Sequence, residues 1–147
     1  MTLHIGFDFD GVLADDSGEI VNTKEGYLAF HEHELERKDQ IIGDGPLIGL
    51  FRKLMVAKRL APHDLKISII TSRSFLTSKR VLDKLSFFDH EQLLDNVIFT
   101  AGGSKKAIIE ALELDLFFDD KKCHVENLTN TIGVHVLYGI SNAKPSS

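Results

Sequence analysis

Asp8 and Asp10, in Asp8-Phe9-Asp10-Gly11-Val12, have the type and spacing to share a phosphoryl transfer. Residues two apart on an extended chain face the same side. One carboxylate can then attack phosphorus, while the other protonates the leaving oxygen and later activates water. Splitting a displacement through a covalent carboxylate makes two easier steps of one hard one. A second acidic pair, Asp119-Asp120, follows Leu114-Asp115-Leu116-Phe117-Phe118. Ile67-Ser68-Ile69-Ile70 ends in the hydroxyls of Thr71 and Ser72, and Lys105 lies between that run and the second acidic pair. Four carboxylates beside a phosphate dianion repel one another unless balanced. A hard divalent cation on oxygen ligands supplies the balance, and Mg²⁺ suits one or two carboxylates plus phosphate. Lys105 adds a fixed positive charge. Thr71 and Ser72 can donate hydrogen bonds to phosphate oxygens, and Gly11 lets the backbone turn close to the ligand.

Each group has an ordinary reading when taken alone. Asp-x-Asp occurs in solvated turns. Thr71-Ser72 can cap a helix, and so can Asp119-Asp120. Lys105 and Lys106 read as solvated residues of a first helical turn. Their order along the chain, each behind an apolar run or at a helix start, is what points to one site.

The elements that must position these groups are legible as alternating patterns. Short apolar runs at 3–9, 66–71, 96–100, 114–118 and 134–137 read as strands. Between them, Leu47, Leu50, Phe51, Leu54 and Met55 mark one amphipathic helix. Phe75, Leu76, Val81, Leu82 and Leu85 mark a second, and Ala107, Ile108, Ala111 and Leu112 a third. A short fourth helix is expected over 123–130. Strands alternating with helices predict an α/β fold: a three-layer, Rossmann-like parallel sheet of about five strands. Ligands bind at the carboxyl ends of such strands, which is where the candidate groups fall. The interval 11–60 is too long for a simple crossover. Its segment 15–45 is expected to form a flap and small helical cap inserted after the first strand. The tail from Ser141 to Ser147 is polar and expected to fray.

Composition sets outer limits. A chain of 147 residues, 43% hydrophobic and 27% charged, predicts one domain, 1–147, with a real core. No run approaches the roughly 18 apolar residues of a membrane span. The N-terminus lacks the basic and long apolar segments of a secretory leader, so a cytoplasmic location is expected. A net charge of −5 argues against binding a nucleic-acid polymer. The single cysteine, Cys123, fits a reducing compartment and is expected to be a small, partly buried residue.

Taken together, Asp8-x-Asp10-Gly11-Val12, Ile70-Thr71-Ser72, Lys105 and Phe117-Phe118-Asp119-Asp120 resemble, in order, the four motifs of the haloacid dehalogenase superfamily of phosphohydrolases. The resemblance implies Asp8 as nucleophile and Asp10 as acid/base. It implies Thr71 and Lys105 as phosphate-binding, with Ser72 and Gly11 beside them. It also implies a Mg²⁺ site of Asp8, Asp119, Asp120 and the backbone carbonyl of Asp10. Further phrases are similar to the cytosolic 5′-nucleotidase I family over almost the whole chain. They are His31-Glu32-His33-Glu34, Asp44-Gly45-Pro46-Leu47, Thr71-Ser72-Arg73-Ser74, Ala101-Gly102-Gly103-Ser104-Lys105 and His135-Val136-Leu137-Tyr138-Gly139-Ile140. That resemblance implies Mg²⁺-dependent hydrolysis of nucleoside 5′-monophosphates. Lys105 is preferred to Lys106 because it completes the matching phrase. Members often carry a long N-terminal extension, whereas this sequence begins almost directly with its first strand.

The expected partner is therefore a small phosphomonoester, a nucleoside monophosphate by resemblance; oligomeric state stays open, a homo-oligomer included. Phe30, His31 and Arg73 are candidate substrate contacts. His31-x-His33 has the wrong spacing for a metal pair on a helix, and Glu32 and Glu34 beside it suggest a solvated face. The basic residues from Arg73 to Arg80 read as a solvated face that steers anions. His124 and Glu126 lie near enough to orient the acidic pair. Three other functions compete. One is a related phosphatase of another phosphomonoester. Another is a receiver-type phosphoacceptor, which the ending Thr100-Ala101-Gly102 of the third strand disfavours. The last is a silent nucleotide-binding module.

Overall fold

The computed structural model describes residues 1–143. Five strands form one wholly parallel sheet: β1 (Leu3–Phe7), β2 (Leu65–Thr71), β3 (Asn96–Phe99), β4 (Leu116–Asp119) and β5 (Ile132–His135), in the order β3-β2-β1-β4-β5. Parallel neighbours need crossovers, and helices α3 (Ile48–Leu60), α4 (Lys79–Phe88) and α5 (Lys105–Ala111) supply three of them. Alternation assigns the faces. Ile5 and Phe7 of β1, with Ile67 and Ile69 of β2, pack with Phe51 and Met55 of α3 and Val81 and Leu85 of α4. On the opposite face Ile70 and Phe117 pack with Ile109 of α5 and Leu114. The result is the expected three layers.

Polar residues on that second face are paired across strands. Asn96 Nδ2 donates to Ser68 Oγ at 3.0 Å, and Ser68 Oγ lies 2.7 Å from His4 Nε2. His4 Nδ1 donates to the Leu112 carbonyl at 3.0 Å, just beyond α5. A chain of hydrogen bonds thus runs from β3 through β2 and β1 to a helix end, satisfying groups that would otherwise be buried unpaired.

The long interval after β1 carries two helices, α1 (Ser17–Glu25) and α2 (Tyr27–Glu36), joined at Gly26. The chain leaves and returns side by side, with an antiparallel bridge between Ala14 and Asp44 and a bond from Asp15 N to the Gly43 carbonyl at 2.9 Å. Lys84 of α4 holds the returning strand, donating to Ile42 O at 2.7 Å and Asp44 Oδ1 at 2.9 Å. Gly45 makes this close return possible. A Cβ there would sit 2.5 Å from the carbonyl oxygens of both Ala14 and Val12. Those are backbone atoms that cannot step aside. Gly45→Ala should therefore destabilise the domain by about 1–3 kcal/mol, each kcal/mol lowering Tm by about 2–4 °C at this size. An unchanged midpoint in thermal denaturation would contradict this account of the return.

Several expectations need correcting. The segment 123–130 forms only a 3₁₀ turn, Lys122–His124, and Asn127 beyond it takes a left-handed φ of 61°, which a helix running to 130 could not contain. The second amphipathic segment is divided: Phe75–Thr77 is a 3₁₀ turn with Phe75 and Leu76 exposed, and α4 begins only at Lys79. In α5 the buried face is Lys105 and Ile109, not the small residues. Cys123 is exposed. Residues 141–143 do not fray, since Ile140–Asn142 forms a 3₁₀ turn and Asn142 Nδ2 donates to the carbonyls of Asp120, Val136 and Tyr138. The rest of the tail, 144–147, lies outside the described residues. Among the described residues no helix is long and apolar enough to cross a membrane.

Candidate active site

The carboxyl ends of β1, β2 and β4 converge on one cavity of about 30 Å³, lined by Asp8, Asp10, Thr71, Ser72, Lys105 and Asp120. Central position in the sheet explains the burial. Asp8 follows β1 and its backbone N–H donates to Phe118 O of β4 at 2.8 Å, so the chain stays extended one residue past the strand. Gly11 then turns it with a φ of +77°. A side chain at Gly11 would strike the Asp120 carboxylate, and the Gly11 amide is itself bonded to Ala14 O at 3.0 Å. Gly11 thus serves the approach of the two acidic segments, with its N–H already engaged.

Lys105 is the hub. It lies on the buried face of α5 because Ile109, four residues on, faces the core. Its Nζ donates to Asp8 Oδ1 at 2.9 Å and to Asp119 Oδ2 at 2.8 Å. Burial opposes its charge, but the two carboxylates outweigh burial and raise its pKa. Lys106 is exposed. Both oxygens of Asp119 are hydrogen-bonded: Oδ2 also accepts from His124 Nδ1 at 2.9 Å, and Oδ1 from the Lys121 amide at 2.8 Å. Burial pushes its carboxyl up, yet the hydrogen bond from His124 and the charge of Lys105 hold it well below the usual carboxylate range. Asp8 goes the other way, raised by burial and by Asp119 and Asp120 despite Lys105. Asp120 is raised to about 6, by burial and then by Asp119.

Oxygens of Asp8, Asp119 and Asp120 lie within 4.8 Å of one another. The donors are hard carboxylates, with Lys105 bridging Asp8 and Asp119 and Lys121 at the cavity wall. That set fits a divalent metal ion with oxygen preference. The side chain of Asp10 is turned elsewhere. Arg73 grips it with two bonds, Nε to Oδ2 at 2.8 Å and Nη2 to Oδ1 at 2.7 Å. Thr71, at the end of β2, is buried, and its Oγ1 accepts from the Arg73 amide at 3.3 Å.

The small cavity opens onto a cleft of about 430 Å³ between the sheet end and the helices α1 and α2, sharing Asp10, Ser72 and His124 with it. Asn22, Tyr27 and Phe30 line the cleft from the helical side. His31 lines neither cavity; its ring packs edge-on against Tyr27. Arg73 reaches the cleft but is committed to Asp10, and its guanidinium carbon lies 5.2 Å from the Phe30 ring centre. Glu19 and Lys121, paired at 2.9 Å, close the cavity where α1 meets the loop after β4. Neither was marked by the sequence, although Lys121 directly follows the acidic pair. His124 was noted and proves to bind Asp119, while Glu126 is exposed.

Sheet and helices place the chain among haloacid dehalogenase-like hydrolases in fold. It superposes with a TM-score of 0.55 on a haloacid dehalogenase-like hydrolase of Burkholderia xenovorans LB400, at 12% identity, covering 98% of this chain and 86% of that one. It matches the corresponding domain of the Legionella pneumophila effector protein Lem4 with a TM-score of 0.53 at 15% identity, covering 95% and 88%. At such identities the likeness concerns the fold alone. Sequence goes further: a family model described as 5′-nucleotidase matches residues 1–143, and the chain belongs to the 5′-nucleotidase family. It is 30% identical to human cytosolic 5′-nucleotidase 1B over 155 residues, 99% of this chain and 24% of that protein. The chain therefore spans about a quarter of the length of that relative.

Proposed function

We propose that the protein is a Mg²⁺-dependent phosphatase of nucleoside 5′-monophosphates, acting through an aspartyl-phosphate on Asp8. The observation that carries this reading is Lys105, bridging Asp8 and Asp119 on the floor of a cavity walled by Thr71 and Ser72. A phosphate there would meet a fixed cation, two hydroxyls and the Asp8 carboxylate. Asp8, Asp119 and Asp120 would hold the metal with the Asp10 carbonyl, and bound Mg²⁺ would polarise the phosphoryl oxygens and offset their charge. As the Asp8–P bond forms and the ester P–O bond breaks, Asp10 gives a proton to the leaving oxygen. Asp10 then takes a proton from the water that hydrolyses the acyl phosphate. Lys105 and Thr71 hold the phosphoryl group throughout. Asn22, Tyr27 and Phe30 in the larger cleft face the rest of the substrate, and family membership favours a nucleoside.

The receiver-type alternative is disfavoured by topology. In receivers the strand order is 2-1-3-4-5, whereas here it is 3-2-1-4-5, and β3 ends without a carboxylate. The deciding experiment is phosphate release from nucleoside monophosphates, deoxynucleotides and sugar phosphates, with Mg²⁺ or EDTA. Mg²⁺-dependent release confined to nucleotides is expected. Release from sugar phosphates alone would discard the substrate, and no release would discard the activity.

Metal binding should compete with protons. The folded-state pKa of Asp120 is about 6 against an ordinary 3.8, and Asp8 is raised too. Raised carboxyls favour the metal-free fold fully below the unfolded value, and that contribution is lost as pH rises through the folded value. Mg²⁺ takes the ionised forms, so its stabilising effect grows with pH. The rise in Tm on adding Mg²⁺ should be larger at about pH 8 than at about pH 5. An equal rise at both would remove these carboxyls from the metal site.

A further inference from the structure

Arg73 does not hold Asp10 unaided. Its Nη2, which donates to Asp10 Oδ1 at 2.7 Å, is also 2.5 Å from Oε1 of Glu34 on α2, so one nitrogen lies between two carboxylates, hydrogen-bonded to one and paired by charge with the other. Its Nη1 donates to Thr77 O at 3.1 Å. The other Glu34 oxygen pairs with Nη1 of Arg80 on α4, whose Nε donates to Gln40 O. Asp10, Arg73, Glu34 and Arg80 therefore form a row of alternating charges. Its last three members are 5%, 5% and 6% exposed. Buried charges of this kind keep their places only while their partners do. The row links the inserted helical pair to a carboxylate at the cavity.

We infer that Glu34 is a positioning residue for Asp10: it fixes the Arg73 guanidinium on which the Asp10 carboxylate is set. The inference rests on the reading of Asp10 as the group that protonates the leaving oxygen. Without the Glu34 charge, Arg73 and Arg80 face each other with no anion between them, and the whole charge of Arg73 falls on Asp10. With that anchor gone, the guanidinium and the carboxylate it holds shift from their places. Misplacement of a reacting group by about 1 Å costs on the order of 10²-fold in rate. The loss should follow the leaving group. A nucleoside leaves as an alkoxide that needs a proton, whereas p-nitrophenolate leaves without one.

The test is kcat/KM of Glu34→Gln on a nucleoside 5′-monophosphate and on p-nitrophenyl phosphate. This constant reports steps through the first irreversible one, here departure of the leaving group. The ratio between substrates in one sample cancels the folded fraction, so a poorly folding variant is still informative. A fall of about 10–100-fold on the nucleotide and under about 3-fold on p-nitrophenyl phosphate is expected. In an Asp10→Asn background, adding Glu34→Gln should change the nucleotide value by less than about 3-fold. Equal falls on both substrates, or no fall on either, would overturn the inference. So would a nucleotide-specific fall that persists undiminished beside Asp10→Asn, which would make Glu34 a substrate contact. A severe Asp10→Asn with a silent Glu34→Gln removes only the role of Glu34. A harmless Asp10→Asn removes the reading of Asp10 as well.

Discussion

Asp8→Asn should eliminate phosphate release, lowering kcat on the order of 10⁴-fold or more, as loss of an enzyme's nucleophile does. The two buried aspartates on Lys105 are not interchangeable. Asp119 has both oxygens occupied, by the Lys121 amide on one side and by Lys105 and His124 on the other. Asp8 gives Lys105 one oxygen and lines the cavity. Burial disfavours its charge, so exchange for a neutral amide of the same shape removes a strained group without leaving a hole. Metal-free Asp8→Asn should therefore melt no lower than the parent, which separates lost chemistry from lost folding. Phosphate release within about tenfold of the parent would exclude Asp8 as the nucleophile.

Lys105→Met should damage both activity and stability. Among the described residues, Lys105 Nζ is the lysine or arginine nitrogen that pairs with both Asp8 and Asp119. Removing one partner of a buried ion pair costs about 3–5 kcal/mol, because the remaining charge is left uncompensated. Loss of a preorganised donor to the phosphoryl group adds a fall in kcat of about 10²–10³-fold. The pH dependence has a definite sign. Without Lys105 the carboxyls bind protons more tightly in the fold, so the stability deficit shrinks as pH falls towards the ordinary carboxylate range. Urea denaturation of metal-free parent and variant across that range measures it. A deficit that is constant with pH would mean that Lys105 matters through packing rather than charge.

The strands were legible because parallel strands buried on both faces read as short apolar runs bounded by polar turns, as in Ile67-Ser68-Ile69-Ile70. Their carboxyl ends then brought Asp8, Thr71, Lys105 and Asp119 together by topology. What stayed illegible was charge meeting charge in the interior. Glu34 reads as solvated from its neighbours on α2, Arg80 as solvated on its own segment, and Arg73 as part of that face or a substrate contact. The solvated readings were wrong for the same reason: the partner lay some 40 residues away, and local pattern carries no information about such pairing. Lys105 shows the same limit, since only the burial of Ile109 reveals which face of α5 is internal. The expected helix over 123–130 is interrupted by the left-handed backbone at Asn127, which composition alone does not announce.

The place of β1 at the centre of the sheet also orders the events of biosynthesis. β1, the earliest strand of this sheet along the sequence, is the one that both halves of the sheet require. It can pair with β2 once residue 71 has emerged, but its other edge waits for β4, more than a hundred residues after it in register. A β3-β2-β1 pairing formed before then would leave the β1 edge unpaired, a surface prone to pair with other chains. The acidic pair arrives with the strand that covers the β1 edge, so assembly of the acidic cluster waits on that docking step, and β5 then covers β4 in turn.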